Sequence, residues 1–285
     1  MNGVIIVNKS DGVTSQKVVN TVKYKFNKAY KVGHYGTLDP NATGVLPVAV
    51  GKATKLFDFM QNKIKVYRAI FRFGQETSTL DSEGEVIHQS LCIPSESEIK
   101  EVLNQFIGKI QQVPPHYSAN MINGVRAYEL ARKNITFELK TKQVEVLKFE
   151  LVKQLNDNDF LFEIECGSGT YIRSLCRDLA YKLNTYAYMP VLIRLKSGKF
   201  DIKDAIPYTQ LTKEDDLSKF VIPLDDVIDL PVIELDEVQG KKFANGMTIY
   251  SNNIEGTYKV RHHGKLIGIG IQIKDKLKME IKLSD

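Results

Sequence analysis

The chain has 285 residues, a net charge of +5, 43% apolar residues and 26% charged ones, an ordinary balance for a folded protein with one large domain, or that domain plus a small appendage. No apolar run approaches the ~20 residues that cross a bilayer, and Met1-Asn2-Gly3 leads straight into Val4-Ile5-Ile6-Val7 without the residue order of a secretory signal, so a cytosolic, membrane-free protein is expected. Cys92, Cys166 and Cys176 have no C-x-x-C spacing and His262 and His263 are the only adjacent histidines, a pattern that predicts reduced thiols, isolated imidazoles and no metal site.

After the first strand, Asn8 to Ser15 reads as a turn ending in a helix cap, and Val18, Val19, Val22 and Phe26 form the stripe of a helix. Its other face carries Lys17, Lys23, Lys25 and Lys28, with Lys31 following; such a row is either a solvated face or a surface for a polyanion. The stretch from Gly33 to Pro47 then holds three Gly, two Pro, an Asn and two Thr around a single acid, Asp39. That is turn chemistry, and it predicts a long structured loop running into a buried strand, Val45 to Val50, where Pro47 suggests an edge or a bulge. Pro40 steers the Asp39 backbone towards extended geometry and so restricts its carboxylate. On residues alone, Asp39 either closes an Asx-turn or is a polar group held accurately by a scaffold.

Ala53, Leu56, Phe57 and Met60 share a helical face, and Lys65 to Phe73 alternates with period two, Tyr67 lying with Ala69, Phe71 and Phe73 and opposite Arg68 and Arg72. Ser95 and Glu98 have capping-box spacing for a helix with stripe Ile99, Val102, Leu103 and Phe106, closed by Gly108. Val144 to Leu155 and Phe160 to Cys166 read as a hairpin joined at Asn156-Asp157-Asn158-Asp159. Thr170 is a candidate N-cap for a helix buried through Ile172, Leu175, Cys176 and Leu179. Arg173, in its first turn, meets the positive end of the helix dipole and calls for an anionic partner, Asp39 or a phosphate. Val191 to Leu195 is a short apolar segment, and beyond Pro223 the chain turns to short strands such as Thr257 to Val260, Leu266 to Ile273 and Lys278 to Leu283.

The stretch around Asp39 resembles the catalytic loop of the bacterial tRNA pseudouridine synthase family that acts on uridine 55 of the T loop (TruB), whose signature G-H-x-G-x-L-D-P-x-A-x-G-x-L-P is present here at every fixed position. Three further segments are similar to family motifs. Lys9 to Ser15 resembles K-P-x-G-x-T-S with Ser10 for Pro; Pro114 to Arg132 resembles P-P-x-Y-S-A-x-K-x-x-G-x-R-x-Y-x-x-A-R with Met121 for Lys; Gly169 to Arg173 is G-T-Y-I-R. In the acid loop the residue after His, usually Thr, is Tyr35. The resemblance implies Asp39 as the catalytic carboxylate, Arg173 holding it ionised and Tyr171 positioning it. It implies Tyr67 and Leu192 against the extruded uracil, and His34 as the wedge in the RNA loop.

The resemblance also implies an α+β fold with a mixed, largely antiparallel central sheet flanked by helices. Residues 1–228 would form the catalytic domain and 229–285 a small β-rich PUA-like RNA-binding domain. The same strands without the resemblance read as an appendage that merely stabilises the first domain. The implied partner is the T stem-loop of tRNA, with no cofactor, no metal, no protein partner required and a monomeric state. Two alternatives remain open at this point: a non-catalytic chaperone that grips the T loop, and a guide-RNA-dependent relative within a ribonucleoprotein.

Overall fold

Strand β1 (Gly3–Lys9) sends Ile5 and Val7 into one core and Val4 and Ile6 into another, the two-residue period of a strand covered on both faces. In this computed structural model, which describes residues 1–61, 63–118, 120–122, 124–133 and 135–284, helix α1 (Ser15–Lys25) follows. Thr14 caps it by accepting from the Lys17 amide, and Val18, Val19 and Val22 seal it on the first core. Strands β2 (Val32–His34) and β3 (Thr43–Val50) bracket the acid-bearing loop. That loop is shorter than predicted, because Gly33 and His34 pair with Ala49 and Val48. Pro47 does not mark an edge: β3 is paired with β1 along its length, and Pro47 falls where its other side changes partner.

A 3₁₀ turn (Gly51–Leu56) enters α2 (Phe57–Gln61). Ala53, Leu56 and Met60 are buried as expected, whereas Phe57 is 38% exposed, since a three-residue turn shifts the phase of the stripe. Strand β4 (Lys65–Phe73) buries Tyr67, Ala69, Phe71 and Phe73. A small pair, β5 (Gln75–Thr77) and β6 (Val86–Gln89), precedes α3 (Glu96–Leu103), which has the predicted capping box at Ser95. The helix ends five residues before Gly108, in a second 3₁₀ turn, and Gly108 opens β7 (Gly108–Gln112). The short pair β8 (Met121–Ile122) and β9 (Val125–Arg126) leads into α4 (Ala127–Arg132); Ala119 of that motif lies outside the described residues. The expected hairpin is β10 (Lys142–Gln154) with β11 (Asp159–Cys166). Helix α5 (Ile172–Lys182) has Tyr171, not Thr170, at its N-cap position; the Thr170 hydroxyl donates instead to the Gly167 carbonyl at 3.1 Å.

Strand β12 (Ala187–Ser197) is longer than the apolar segment within it and is followed by the short β13 (Phe200–Asp201), β14 (Ile206–Pro207), α6 (Tyr208–Leu211), β15 (Ile222–Pro223) and α7 (Leu224–Val227). The main sheet runs β14, β1, β3, β12, β4, β11, β10, β7, with β2, β13 and β15 attached. Its pairings are antiparallel except β1 with β14 and β3 with β12, the mixed and largely antiparallel sheet expected. The second of these joins fixes the site: Gly44 faces Arg194, where a Cβ would stand 2.2 Å from the Arg194 carbonyl oxygen, and its φ is +103°, so only glycine lets the two strands meet.

A second sheet follows, from β16 (Val232–Leu235), α8 (Glu237–Ala244), β17 (Ile249–Tyr250), β18 (Gly256–His262), β19 (Lys265–Ile273) and β20 (Lys276–Lys282). Phe243, Val260 and Leu277 centre its own core. Ile269 and Leu283 instead join Val4, Leu224 and Val227, which docks this sheet on the back of the main one. Among the described residues no helix is long and apolar enough to cross a membrane.

Candidate active site

The loop between β2 and β3 is tied down at nearly every residue. The Tyr35 amide donates to the Pro47 carbonyl at 3.0 Å, and the Tyr35 ring, 1% exposed, reaches inward to donate its hydroxyl to the Ala53 carbonyl at 2.5 Å. Tyr35 is therefore a tether, and burial raises its phenol well above the usual range. Ser15, at the start of α1, accepts from the Leu38 amide at 2.9 Å and donates to the Leu38 carbonyl at 3.0 Å. Lys9 is fully buried and donates to the carbonyls of Val13 and Pro40 at 2.6 and 2.9 Å. Burial brings its pKa down to about 8. Arg194, 1% exposed, donates to Val45 at 2.7 Å and Gly36 at 3.1 Å, so one guanidinium grips both ends of the loop. These bonds to Tyr35, Gly36, Leu38 and Pro40 leave Asp39 little freedom.

Arg173 comes to that carboxylate from the other side. Its Nη2 is 2.9 Å from Asp39 Oδ2 and its Nη1 is 3.4 Å from Asp81 Oδ2. The guanidinium and Asp81 are each 5% exposed at the side chain, while Asp39 is 35% exposed and faces open space. Arg173 also donates to the carbonyls of Thr79 and Tyr117 at 2.9 and 3.0 Å. This is the anionic partner that its place in the first turn of α5 demands, and it is doubled. Asp81 in turn accepts from the Thr79 hydroxyl at 2.5 Å and the Glu83 amide at 3.0 Å. Burial raises the Asp39 carboxyl above its ordinary value of 3.8, Arg173 opposes that, and the nearby Asp81 charge adds to it.

Asp39, Tyr67, Tyr171, Arg173 and Leu192 line one cavity of about 240 Å³. Tyr67 and Leu192, on paired strands β4 and β12, are each 8% exposed and offer an apolar floor; burial raises the Tyr67 phenol, and the nearby Arg194 charge opposes that. Tyr171 is fixed by Gln112, which accepts from its amide at 2.8 Å and donates to its carbonyl at 3.2 Å. His34 is not in this cavity. It lines a neighbouring one of about 520 Å³ with Phe57, Arg126, Tyr128 and Arg132, and the two cavities share Asp39 and Arg173 as a wall. The His34 ring is held neutral by burial and by Arg194, with its buried Nδ1 lacking a hydrogen-bond partner among the described residues.

Three contributors escaped the sequence reading, Asp81, Arg194 and Gln112, while Lys9 entered it only as the first residue of a motif, with no role. Of the three, Arg194 left a trace, as a lone cation inside an otherwise apolar segment, where a buried charge implies a dedicated set of partners. Asp81 is 42 residues from its counterpart in a run of turn residues, and nothing local marks it.

The cavity holds a carboxylate beside a guanidinium, two tyrosines and an aliphatic floor, which suits a small planar ring with polar edges. A family model described as "TruB family pseudouridylate synthase (N terminal domain)" matches residues 23–172. A tRNA pseudouridine synthase B of Clostridium perfringens is 39% identical over 290 residues, covering 98% of each chain, and that of Mycoplasma mobile is 38% identical over 280 residues, covering 98% of this chain and 93% of the relative. Among solved structures, one titled "Structure of H/ACA RNP bound to a substrate RNA containing 2'-deoxyuridine" superposes with a TM-score of 0.74 at 22% identity, over 99% of this chain and 85% of that one; at that identity it speaks for the fold alone.

Proposed function

The chain belongs to the TruB family of pseudouridylate synthases and makes pseudouridine in tRNA, and we propose that its target is uridine 55 of the T loop and its reacting group Asp39. The observation that carries this reading is the Asp39 to Arg173 pair at 2.9 Å on the wall of a cavity floored by Tyr67 and Leu192. At about 240 Å³ that cavity is below the ~300–1,000 Å³ of pockets for drug-sized ligands and suits one pyrimidine. A uracil stacked in an RNA loop hides the atoms that must react, so it has to leave the stack, at a cost of a few kcal/mol that the new packing offsets. Tyr67 and Leu192 receive the ring, and His34, in the adjoining cavity, stands where the emptied RNA loop would lie.

The isomerisation breaks the bond from C1′ to N1, forms one from C1′ to C5, and moves a proton from C5 to N1. Atoms and electrons balance within the nucleotide. Attack of Asp39 on the sugar, attack on the base, and removal of a ribose proton are the three routes by which a carboxylate can bring this about, and each starts from its ionised form. Arg173 keeps that form available in a site where burial disfavours it. Residues 229–285 serve in this reading as a small RNA-binding domain.

Purified protein acting alone on an unmodified tRNA transcript tests the target: pseudouridine should form at position 55 and at no other uridine. A protein inert until a guide RNA is added, or one that modifies a different position, overturns the assignment. The basic face of α1 and the pair Arg126 and Arg132 beside His34 supply the phosphate contacts. Arg126→Ala and Arg132→Ala should each weaken tRNA binding and reduce the slope of log affinity against log salt by about 0.7–0.9, read from binding titrations at several salt concentrations. An unchanged slope would place these arginines off the RNA.

A further inference from the structure

We propose that Glu237, His262 and His263 form a binding site for a zinc-class divalent ion on the C-terminal sheet, apart from the Asp39 cavity. Successive side chains of a strand point to opposite faces, and two adjacent histidines would ordinarily diverge. Here β18 ends at His262, and His263 takes a left-handed backbone with φ +51°. The turn brings both rings to one side, with centroids 4.1 Å apart at 38°. Glu237, the first residue of α8, faces them: its Oε2 lies 3.7 Å from His262 Nε2 and 2.5 Å from His263 Nε2. The three donor atoms all lie within 4.8 Å of one another. Isolated imidazoles, the expectation from sequence, are therefore corrected; Glu237 is 25 positions from His262, and the turn that aligns the rings leaves no mark in residue type.

The tautomer is set for ligation. His262 Nδ1 is 3.3 Å from the Leu235 carbonyl, and a carbonyl only accepts, so the proton belongs on Nδ1 and the lone pair on Nε2, towards Glu237. A metal-binding imidazole is commonly oriented by a carbonyl in this way. The ring is seated against α8 at Gly240, where a Cβ would stand 2.3 Å from His262 Nδ1; any other residue would push the ring off its seat. Two imidazole nitrogens and one carboxylate oxygen suit zinc and its first-row neighbours rather than magnesium or calcium, which take oxygen donors. Donors about 2.0–2.2 Å from a tetrahedral ion stand about 3.3 Å apart, and the present 2.5 and 3.7 Å fall on either side of that. Glu237 and His263, 52% and 67% exposed, have room to adjust, and solvent supplies the fourth position. Lys241 is 2.6 Å from the other Glu237 oxygen and 71% exposed; it orients the carboxylate and competes with the ion for it. A bound ion would clip the β18 to β19 turn to the start of α8.

The test uses the full chain freed of metal and titrated with cobalt(II) and with zinc. One equivalent of cobalt should give the visible absorption of a four-coordinate nitrogen and oxygen site, and zinc should displace it and raise the melting temperature. Glu237→Gln and His263→Gln should each weaken zinc by about tenfold or more, the least expected of losing a direct ligand when outer partners alone are worth 10–100-fold. His263→Gln changes an exposed turn residue, so it keeps the measurement informative if Glu237→Gln, beside the helix cap, folds poorly. Equal zinc affinity in the wild type and His263→Gln, or no cobalt band, overturns the proposal.

Discussion

Asp39→Ala is expected to bring pseudouridine formation below detection, a loss of ~10⁴-fold or more, the upper range for a positioned acid or base, while tRNA binding persists. Release of tritium from C5-labelled uridine in a tRNA transcript measures the first, and a filter or gel-shift titration the second. The reasoning is local. The loop is held by Tyr35, Ser15, Lys9 and Arg194, none of which bonds the Asp39 carboxylate, so truncating that side chain leaves the scaffold tied. Arg173 keeps Asp81 and two carbonyls as partners. The basic surfaces are untouched. A T-loop chaperone would work as well without this acid, so retained activity of Asp39→Ala in a biological complementation assay, together with no tritium release from the wild type, would establish that alternative instead.

The same carboxylate sets a pH dependence. Burial lifts its pKa above 3.8 despite Arg173, and only the ionised form reacts. The rate constant kcat/KM should therefore fall as pH drops, with a midpoint above 3.8. A midpoint at or below that value would mean that the guanidinium outweighs burial.

How much of this was legible beforehand depends on how local each cause is. Asp39 and its loop were readable because turn chemistry and an X-Pro restriction act on neighbours in sequence, and the motif spans a single segment. Arg173 was readable by a physical argument, since a cation in the first turn of a helix needs an anion, and the structure supplies Asp39. Asp81 was not, because its role depends on β5 and the following turn delivering a carboxylate to the far side of a guanidinium on α5. Phe57 was misassigned to the core because its phase depends on the tighter turn before it, which the residues between Gly51 and Leu56 do not announce. The sheet order is the least local property of all: β3 and β12 meet over Thr43 and Gly44 with Ile193 and Arg194, about 150 positions apart in the chain, and the glycine that permits the contact looks like any other in a turn-rich loop.

Arg173→Met should be the most damaging single change to the fold and should also stop the reaction. It strips the cation from between two carboxylates, one of them 5% exposed, and breaking a buried pair in this way costs ~3–5 kcal/mol, or roughly 10 °C in melting temperature for a chain of this size. Two acids left facing each other cannot both stay ionised at low cost, so Asp39 takes up a proton more readily, and any residual activity should have its acid limb at higher pH. Asp81→Asn pushes the other way. It removes the like charge that raises Asp39, so the acid limb should move to lower pH, while the new amide turns a donor towards Arg173 Nη1 or gives up its bonds from Thr79 and Glu83. Misaligned by about an ångström, the guanidinium no longer holds Asp39 in its reactive pose, which costs ~10²-fold in kcat with KM for tRNA little changed. Opposite displacements of the acid limb in the two variants are what a shared cation between a reacting and a supporting carboxylate requires. If both variants move the limb the same way, Asp81 is only part of the packing and Arg173 answers to Asp39 alone.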